Sequence, residues 1–481
     1  MSLKQKTISG LQWSFIDSFA SQGVQFIVGI ILARLLSPKD FGLIGLLTIF
    51  IAVSQSFIDS GFATALIRKK NCSQNDYSTV FYFNIGVSII CYFILFIFSG
   101  AISSFFKEPQ LKVLVQVLGL GLVLNSFAII QQTIYTKELN FKLQMWVSII
   151  ASLGSGIVSV PMAYSGFGIW SLVALTLSRY SITTFLLWIW SKWKPVLFFS
   201  KTSFIELFSF GSKLLLSGLI DTIYRNVYYL IIGKYFSANE LGDYTRADQF
   251  QSIPSSNLQG IIGRVTYPIL SDIQDDAVRL KTAYKTVIRS TMLVTFVLML
   301  GMAAVAKPMI ITLIGIKWEP CVIYLQMLCF VGMFYPLHAL NLNMLKVLGR
   351  SDLFLRLEII KKILAVPTII VGILFGIKVM IIGMFVNTLI AYYLNSYWSG
   401  KFIGYSTVQQ IKDILPSFLL SVFMGSMVSI LGSILNISNQ VKLVIQIIFG
   451  AALTIIIAEL LKMNGYLYIK KIVLKKILKR K

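Results

Sequence analysis

Long apolar stretches alternate along the chain with short clusters of charge, and the stretches have the length of membrane helices. Residues 77–106 hold no charged side chain, nor do 113–136, 320–345, 379–400 and 414–441. A helix crosses the hydrocarbon core in about 20 residues, so each run predicts one span. The charge-free run 143–178 is too long for one helix, and Ser165-Gly166 offers a turn in its middle. Carried over the whole sequence, the pattern predicts an all-α polytopic membrane protein of about fourteen spans. They fall near 10–33, 41–66, 79–105, 112–135, 146–164, 167–190, 209–235, 243–269, 286–313, 321–345, 357–376, 378–398, 414–435 and 441–462. Connectors of at most about 20 residues are ordinary between packed helices and leave no place for a soluble catalytic domain.

The eighth span is defined by topology rather than by hydropathy. It carries Asp243, Arg246, Asp248, Gln249, Gln251, Asn257, Gln259 and Arg264, with Pro254 in the middle. With it, and with the N-terminus inside, most of the 43 Lys and Arg fall on the cytoplasmic side, as the positive-inside rule requires. Without it, every later loop inverts and the tail containing Lys470, Lys471, Lys475, Lys476, Lys479, Arg480 and Lys481 lies outside. A polar span is tolerated where it borders water rather than lipid. Both termini are therefore expected in the cytoplasm.

Composition narrows the class further. The 481 residues are 56% hydrophobic and 13% charged, against about 25% charged in a soluble domain. The net charge of +24 punctuates apolar runs instead of forming a soluble basic face, which argues against nucleic acid as partner. Cys72, Cys91, Cys321 and Cys329 show neither a CxxC pair nor metal-ligand spacing, and are expected as small core residues. The first apolar stretch follows Lys4 and Lys6 but contains Asp17, Gln22 and Gln25, so it is expected as a retained span and not a cleaved leader. No GxxxxGK[ST], HExxH or GxSxG occurs, and the single histidine leaves no paired His-Asp site. No catalytic residue, metal or cofactor is assigned.

An internal repeat organises the spans. Arg34-Leu-Leu-Ser-Pro-Lys-Asp-Phe-Gly42 and Lys234-Tyr-Phe-Ser-Ala-Asn-Glu-Leu-Gly242 match at an offset of 200: Arg34 with Lys234, Ser37 with Ser237, Asp40 with Glu240, Gly42 with Gly242. Phe167-Gly168-Ile169 and Phe375-Gly376-Ile377 match at 208. Ser, Asp and Gly recur at turns for local reasons, but these matches keep register with the span count and favour duplication. Six spans separate the copies, and an even number makes them parallel. The expected organisation is an N-terminal lobe at 1–200 (spans 1–6), a C-terminal lobe at 201–400 (spans 7–12), and spans 13–14 with a basic cytoplasmic tail at 401–481.

A charge at mid-helix costs about 2.5–3.5 kcal/mol on insertion scales and usually faces the bundle interior or water. The seventh span places Lys213, Ser217, Asp221 and Arg225 at i, i+4 steps on one face, with Tyr224 and Tyr228 beside them. Asp17, Ser21 and Gln25 of the first span are their offset-200 counterparts. The second span adds Asp59; the eighth adds Arg246, Asp248 and Arg264. As a set they would line an aqueous cavity of excess positive charge, suited to phosphate through bidentate guanidinium bonds, with tyrosines against sugar faces. The plainer alternative for Asp221 and Arg225 is mutual neutralisation as an i, i+4 pair. Arg179 and Arg289, near span ends, are expected to snorkel to the interface. His338, beside Pro336, is expected as a packed, hydrogen-bonded side chain. Pro161, Pro254, Pro308, Pro336 and Pro367 are expected to kink helices or mark their ends. Tyr466, Ile469, Val473 and Ile477 share one face of a lysine-rich tail, as in a helix lying on an anionic leaflet.

The segments Gly10-Leu-Gln-Trp-Ser14, Leu36-Ser-Pro-Lys-Asp-Phe-Gly42, Leu241-Gly-Asp-Tyr-Thr-Arg-Ala247, Arg264-Val-Thr-Tyr-Pro-Ile-Leu-Ser271, Ile273-Gln-Asp-Asp276 and Leu348-Gly-Arg-Ser-Asp-Leu353 occur in this order. Together they resemble bacterial polysaccharide flippases (Wzx-type, the colanic- and teichuronic-acid exporter branch) of the multidrug/oligosaccharidyl-lipid/polysaccharide exporter superfamily. The likeness covers nearly the whole chain. It implies a two-lobed inner-membrane transporter, not an enzyme, that flips undecaprenyl-diphosphate-linked oligosaccharide by alternating access. It implies cationic lumen residues, mapped here onto Lys213, Arg225, Arg246 and Arg264. Tyr224 and Tyr228 complete the expected substrate set; Asp17, Asp59, Asp221 and Asp248 are the candidates for ion coupling. The expected partners are the lipid-linked oligosaccharide, anionic membrane lipids and the polysaccharide polymerase machinery. The alternatives are a drug exporter of the same architecture, which should prefer an acidic cavity, and a membrane-embedded ligase or polymerase, which should carry a catalytic outer loop.

Overall fold

The computed structural model describes residues 3–478 and is mostly helical, with no strand among the described residues. In chain order the α-helices are α1 (Leu3–Leu35), α2 (Pro38–Asp59), α3 (Phe62–Arg68), α4 (Gln74–Phe106), α5 (Leu111–Lys137), α6 (Phe141–Tyr164), α7 (Trp170–Trp190), α8 (Lys201–Tyr235) and α9 (Ala238–Asp272). They continue as α10 (Ala277–Ala304), α11 (Ala306–Ile314), α12 (Glu319–Gly332), α13 (Tyr335–Val347), α14 (Ser351–Phe375), α15 (Ile377–Ile403), α16 (Thr407–Ile434), α17 (Asn439–Leu460) and α18 (Asn464–Leu478). Eleven helical segments among the described residues are long and apolar enough to cross a bilayer. Side chains such as Ile97, Ile157 and Ile434 are more than two-thirds exposed on them, the normal condition of a helix that meets lipid. The polar α9 is not among the eleven, yet it forms one continuous helix of 35 residues, about 52 Å at 1.5 Å per residue.

The chain divides into two compact units, Met1–Gly242 and Asp243–Lys481. In the first, α4 lies along α5, α1 along α6, α6 along α7, and α2 packs on α8. Its core holds Phe62, Leu66, Phe81, Ile130 and Leu207, with Phe62 edge-on to Phe83 at 4.9 Å. In the second, α10 packs on α16, α14 on α15, and α16 on α17.

Both copies of the repeated turn close in the same way. Asp40 Oδ2 accepts from the Ser37 amide at 2.9 Å while Ser37 Oγ accepts from the Asp40 amide at 3.3 Å. Glu240 Oε2 accepts from the Ser237 amide at 3.0 Å, and Ser237 Oγ from the Glu240 amide at 3.2 Å. These reciprocal bonds satisfy amides that a helix start leaves open. The two starts also meet. A Cβ built on Gly42 would stand 1.8 Å from the Ala238 carbonyl oxygen, and one on Gly242 would stand 1.9 Å from that of Pro38. Only glycine permits so close a crossing of backbones.

Some single-residue expectations are corrected and others are met. Arg179 does not snorkel: its Nη1 donates to Gln25 Oε1 at 2.7 Å, tying α7 to α1. Arg289 is likewise engaged, hydrogen-bonded to Asp413, which also accepts from Tyr405 Oη at 2.7 Å. Burial, with the Asp413 carboxylate beside it, pushes the Tyr405 phenol up. His338 is a packed residue, its Nδ1 3.3 Å from Asn395 Nδ2. Pro308 and Pro336 lie in first turns, whereas Pro161, Pro254 and Pro367 lie inside continuous helices. In α18, Tyr466 and Ile469 pack onto Leu293, Leu420 and Ala458, so this face meets protein; the Val473 and Ile477 side chains lie outside the described residues.

Candidate functional site

Two polar regions of the first unit stand out. The first is the face of α8. Ser200 Oγ accepts from the Ser203 amide at the start of this helix. One side is then fixed to α2 by small residues and hydroxyls. Gly211 and Gly61 pack so closely that a Cβ on either would stand 2.6 Å from a backbone oxygen of the other segment, and Thr222 and Ser56 hydroxyls lie 3.1 Å apart. At 100° per residue, the exposed remainder of the helix divides into two sectors. Leu216, Ile220 and Ile223 form an apolar one. Lys213, Ser217 and Arg225 are exposed in the adjoining polar one, with Asp221 and Tyr224 half-buried among them.

Arg225 Nε donates to Asp221 Oδ2 at 2.7 Å, so the i, i+4 pair exists. The arginine side chain nevertheless stays 76% exposed. A pair so open contributes about 0–1 kcal/mol, and a guanidinium has five N–H donors, of which this bond takes one. The pair therefore does not exhaust Arg225 as an anion ligand. Tyr228 is buried rather than on the open face.

The second region lies where α2 breaks. Ser60 and Gly61 take left-handed conformations (φ 44° and 70°) between α2 and α3, inside a segment, Pro38–Arg68, that is otherwise long and apolar enough to span. Asp59 is the last residue before the break. Beside it is a cavity of about 410 Å³ lined by Gln55, Asn125, Gln132, Thr133 and Thr136. Asp59 lines this cavity too, and its Oδ1 is buried without a hydrogen-bond partner among the described residues. The opposite wall is preset: Gln144 Nε2 donates to Gln132 O at 3.1 Å and to Thr136 Oγ1 at 2.9 Å. A carboxylate at a helix break with amides and hydroxyls around it is suited to a proton or a small cation. The sequence pointed to Asp59 alone. Its cavity partners sit on a helix three elements away, and neither spacing nor charge marks Asn125 or Gln132.

The remaining candidates fall elsewhere. Arg246 is buried, its Nη1 hydrogen-bonded to Gln249, and Asp243 is buried as well. Asp248 is half-buried. Gln251 bonds to Ser255 Oγ at 3.1 Å, and its amide lies over Gly332, where a Cβ would stand 1.5 Å from Nε2. Asp243, Arg246 and Gln251 of α9 are thus spent inside protein, while Asn257 and Gln259 stay half-buried. The side chains of Asp17 and Arg264 lie outside the described residues.

A family model described as "Polysaccharide biosynthesis protein" matches residues 31–323. The lipopolysaccharide biosynthesis protein WzxC of Escherichia coli (strain K12) is 26% identical over 433 residues, covering 88% of this chain and 87% of that protein. The teichuronic acid biosynthesis protein TuaB of Bacillus subtilis (strain 168) is 24% identical over 358 residues, 73% of each. Among solved structures, the lipid II flippase MurJ in an inward closed conformation has a TM-score of 0.74 at 15% identity, covering 97% of this chain and 100% of that one. An inward-facing multidrug resistance MATE family transporter of the MOP superfamily has a TM-score of 0.65 at 16% identity, covering 82% and 98%. The fold is that of these polytopic membrane transporters.

Proposed function

This chain belongs to the polysaccharide biosynthesis protein family, and from that premise we propose that it flips a lipid-linked oligosaccharide from the cytoplasmic to the outer leaflet of a bacterial inner membrane. The observation that carries this reading is the two-sector face of α8. A lipid-linked sugar has an apolar tail and a polar, diphosphate-bearing head. Leu216, Ile220 and Ile223 suit the first; Lys213 and Arg225, on the adjoining sector, suit the second. Charges that are open within a membrane-length helix are tolerated where water reaches them. Guanidinium and ammonium groups there favour an anionic head over a cationic drug. The relatives support the same substrate class: WzxC is a lipopolysaccharide biosynthesis protein, TuaB a teichuronic acid biosynthesis protein and MurJ a lipid II flippase.

In this reading the polar face shields the sugars while the polyprenyl tail stays in lipid. Unshielded, each unpaired hydroxyl would cost about 2–7 kcal/mol in hydrocarbon. Spans 1–6 and 7–12 act as the two lobes of an alternating-access transporter, with spans 13 and 14 appended and both termini in the cytoplasm. Arg225 and Lys213 hold the diphosphate, Tyr224 lies against the sugar, and Asp59 couples the cycle to a proton or cation. Arg246, being enclosed, serves the packing of α9.

The test is translocation of intact undecaprenyl-diphosphate-linked oligosaccharide in proteoliposomes. The wild-type chain should move it between leaflets without altering its covalent structure, and Arg225→Ala should slow movement at least tenfold with unchanged protein level. Movement at the wild-type rate in Arg225→Ala removes the site assignment. A covalently altered lipid-linked sugar removes the transport reading.

A further inference from the structure

A second cavity, of about 780 Å³, opens at the opposite end of the first unit from the repeated turn. It forms where α5 passes into α6 and α7 into the extended segment 191–200. Tyr77, Tyr135, Trp190 and Trp193 supply aromatic walls, and Glu138 a carboxylate. The site is built rather than incidental. Ser78 Oγ accepts from the Val196 amide at 3.0 Å and Thr79 Oγ1 from the Ser200 amide at 2.9 Å. These bonds stitch the extended segment to the second turn of α4. Trp193 is held edge-on to Phe81 at 5.7 Å and to Tyr77 at 6.3 Å. Two donors are left over: among the described residues, Tyr135 Oη and Trp193 Nε1 are buried without hydrogen-bond partners.

Buried donors without acceptors cost roughly 1–3 kcal/mol each, so a ligand that accepts from them is favoured. Two nearby ammonium groups are already committed, and a third, Lys192, lines the cavity. Lys69 pairs with Asp76 and Glu206, and Lys137 donates to the Leu66 carbonyl at 3.0 Å and lies 2.8 Å from Cys72 Sγ. Glu138 and Lys192 give the wall one charge of each sign, so the lining carries no net charge and suits a neutral ligand. The ammonium head of a choline- or ethanolamine-type cation accepts no hydrogen bond and would leave both donors unpaired. A neutral pyranose satisfies every feature: its apolar face lies on an aromatic ring, its ring and hydroxyl oxygens accept from Tyr135 and Trp193, and a hydroxyl donates to Glu138. Arg68, Lys69, Lys70, Lys137, Lys142, Lys192, Lys194 and Lys201 cluster in sequence around this end, which the positive-inside rule assigns to the cytoplasm.

We propose that this aromatic cavity is a cytoplasmic docking subsite for one neutral sugar ring of the substrate head group, occupied before the head enters the translocation path. The proposal rests on the flippase reading and deepens it. Its probes are methyl pyranosides (gluco, galacto, manno and N-acetylglucosamine forms), phosphoethanolamine and inorganic diphosphate, added to the full-length protein in nanodiscs. Two readouts are taken: maleimide labelling of Cys72, which lines the cavity, and saturation-transfer NMR on each probe. At least one methyl pyranoside should slow Cys72 labelling about threefold or more and give a transfer signal. Both effects should vanish in Tyr135→Phe/Trp193→Phe, which keeps an aromatic ring at each position and removes the donors. Protection by phosphoethanolamine or diphosphate instead, or by no probe in either readout, overturns the proposal. In proteoliposomes the same double variant should raise the half-saturating concentration of lipid-linked sugar three- to tenfold with the maximal rate retained; a fall in maximal rate alone also overturns it. Wild-type translocation of intact substrate is scored separately, so loss of the subsite is distinguishable from loss of the flippase reading.

Discussion

The helices α2 and α9 begin alike and continue differently. Each starts with a serine whose side chain and amide exchange hydrogen bonds with an acidic residue three positions on, and each crosses the other at a glycine. Beyond that turn α2 is apolar and seats Leu46 over Gly233 of α8, whereas α9 is polar and seats Gln251 over Gly332 of α12. The same local chemistry therefore launches helices with different tasks. A cap is decided within four residues; what a helix body touches is decided by elements far away in sequence.

The comparison breaks most severely at its shared crossing. Gly42→Leu and Gly242→Leu each place a side chain within 2 Å of a carbonyl oxygen, and backbone cannot yield as a side-chain tip can. Both variants should lose the folded monodisperse peak in fluorescence-detected size exclusion, and to the same degree. A normal peak for one of them would mean that the two crossings are not equivalent.

The helix bodies should respond less, and unequally. Gly233→Ala displaces the tip of Leu46 and crowds that of Leu241, both flexible apolar contacts. Gly332→Ala displaces the Gln251 amide from its enclosed place, with an expected cost of about 1–3 kcal/mol for a buried polar group left unsatisfied. Thermal unfolding in detergent should show the larger loss in Gly332→Ala, partly restored by adding Gln251→Ala. Equal losses would erase the distinction between the apolar and the polar body.

The caps should give the smallest and most nearly matched effects. Ser37→Ala and Ser237→Ala each remove one capping side chain, worth about 0.5–2 kcal/mol. Unfolding midpoints should fall modestly in both, and transport in proteoliposomes should persist. A large loss in one alone would show that its serine does more than close a helix start.

The partners of the two charged stripes draw a further line. Gln25, the offset-200 counterpart of Arg225, is neutral and is held by Arg179, while Arg225 remains open. Spacing placed both on helix faces, but only packing showed that one face is occupied. The same limit applies to Asp59. An acidic residue late in an apolar stretch was visible in the sequence; the helix break at Ser60-Gly61 and the amides of α5 that make a cavity beside it were not. Arg246 and Gln251 were legible as polar residues in a doubtful span, but their enclosure against neighbouring side chains was not.

The sequence by itself determined the helical membrane class, the repeated turn with its caps and the places where charge enters a span. All of these follow from residues within one helix length of each other, through hydropathy, periodicity and capping. The tertiary structure alone decided which polar side chains are enclosed and which stay open, because burial depends on contacts between helices that sequence spacing does not record. It also brought Tyr135 and Trp193, 58 positions apart in the chain, to one aromatic cavity, where the backbone bonds of an extended segment, and no repeating pattern, fix the geometry.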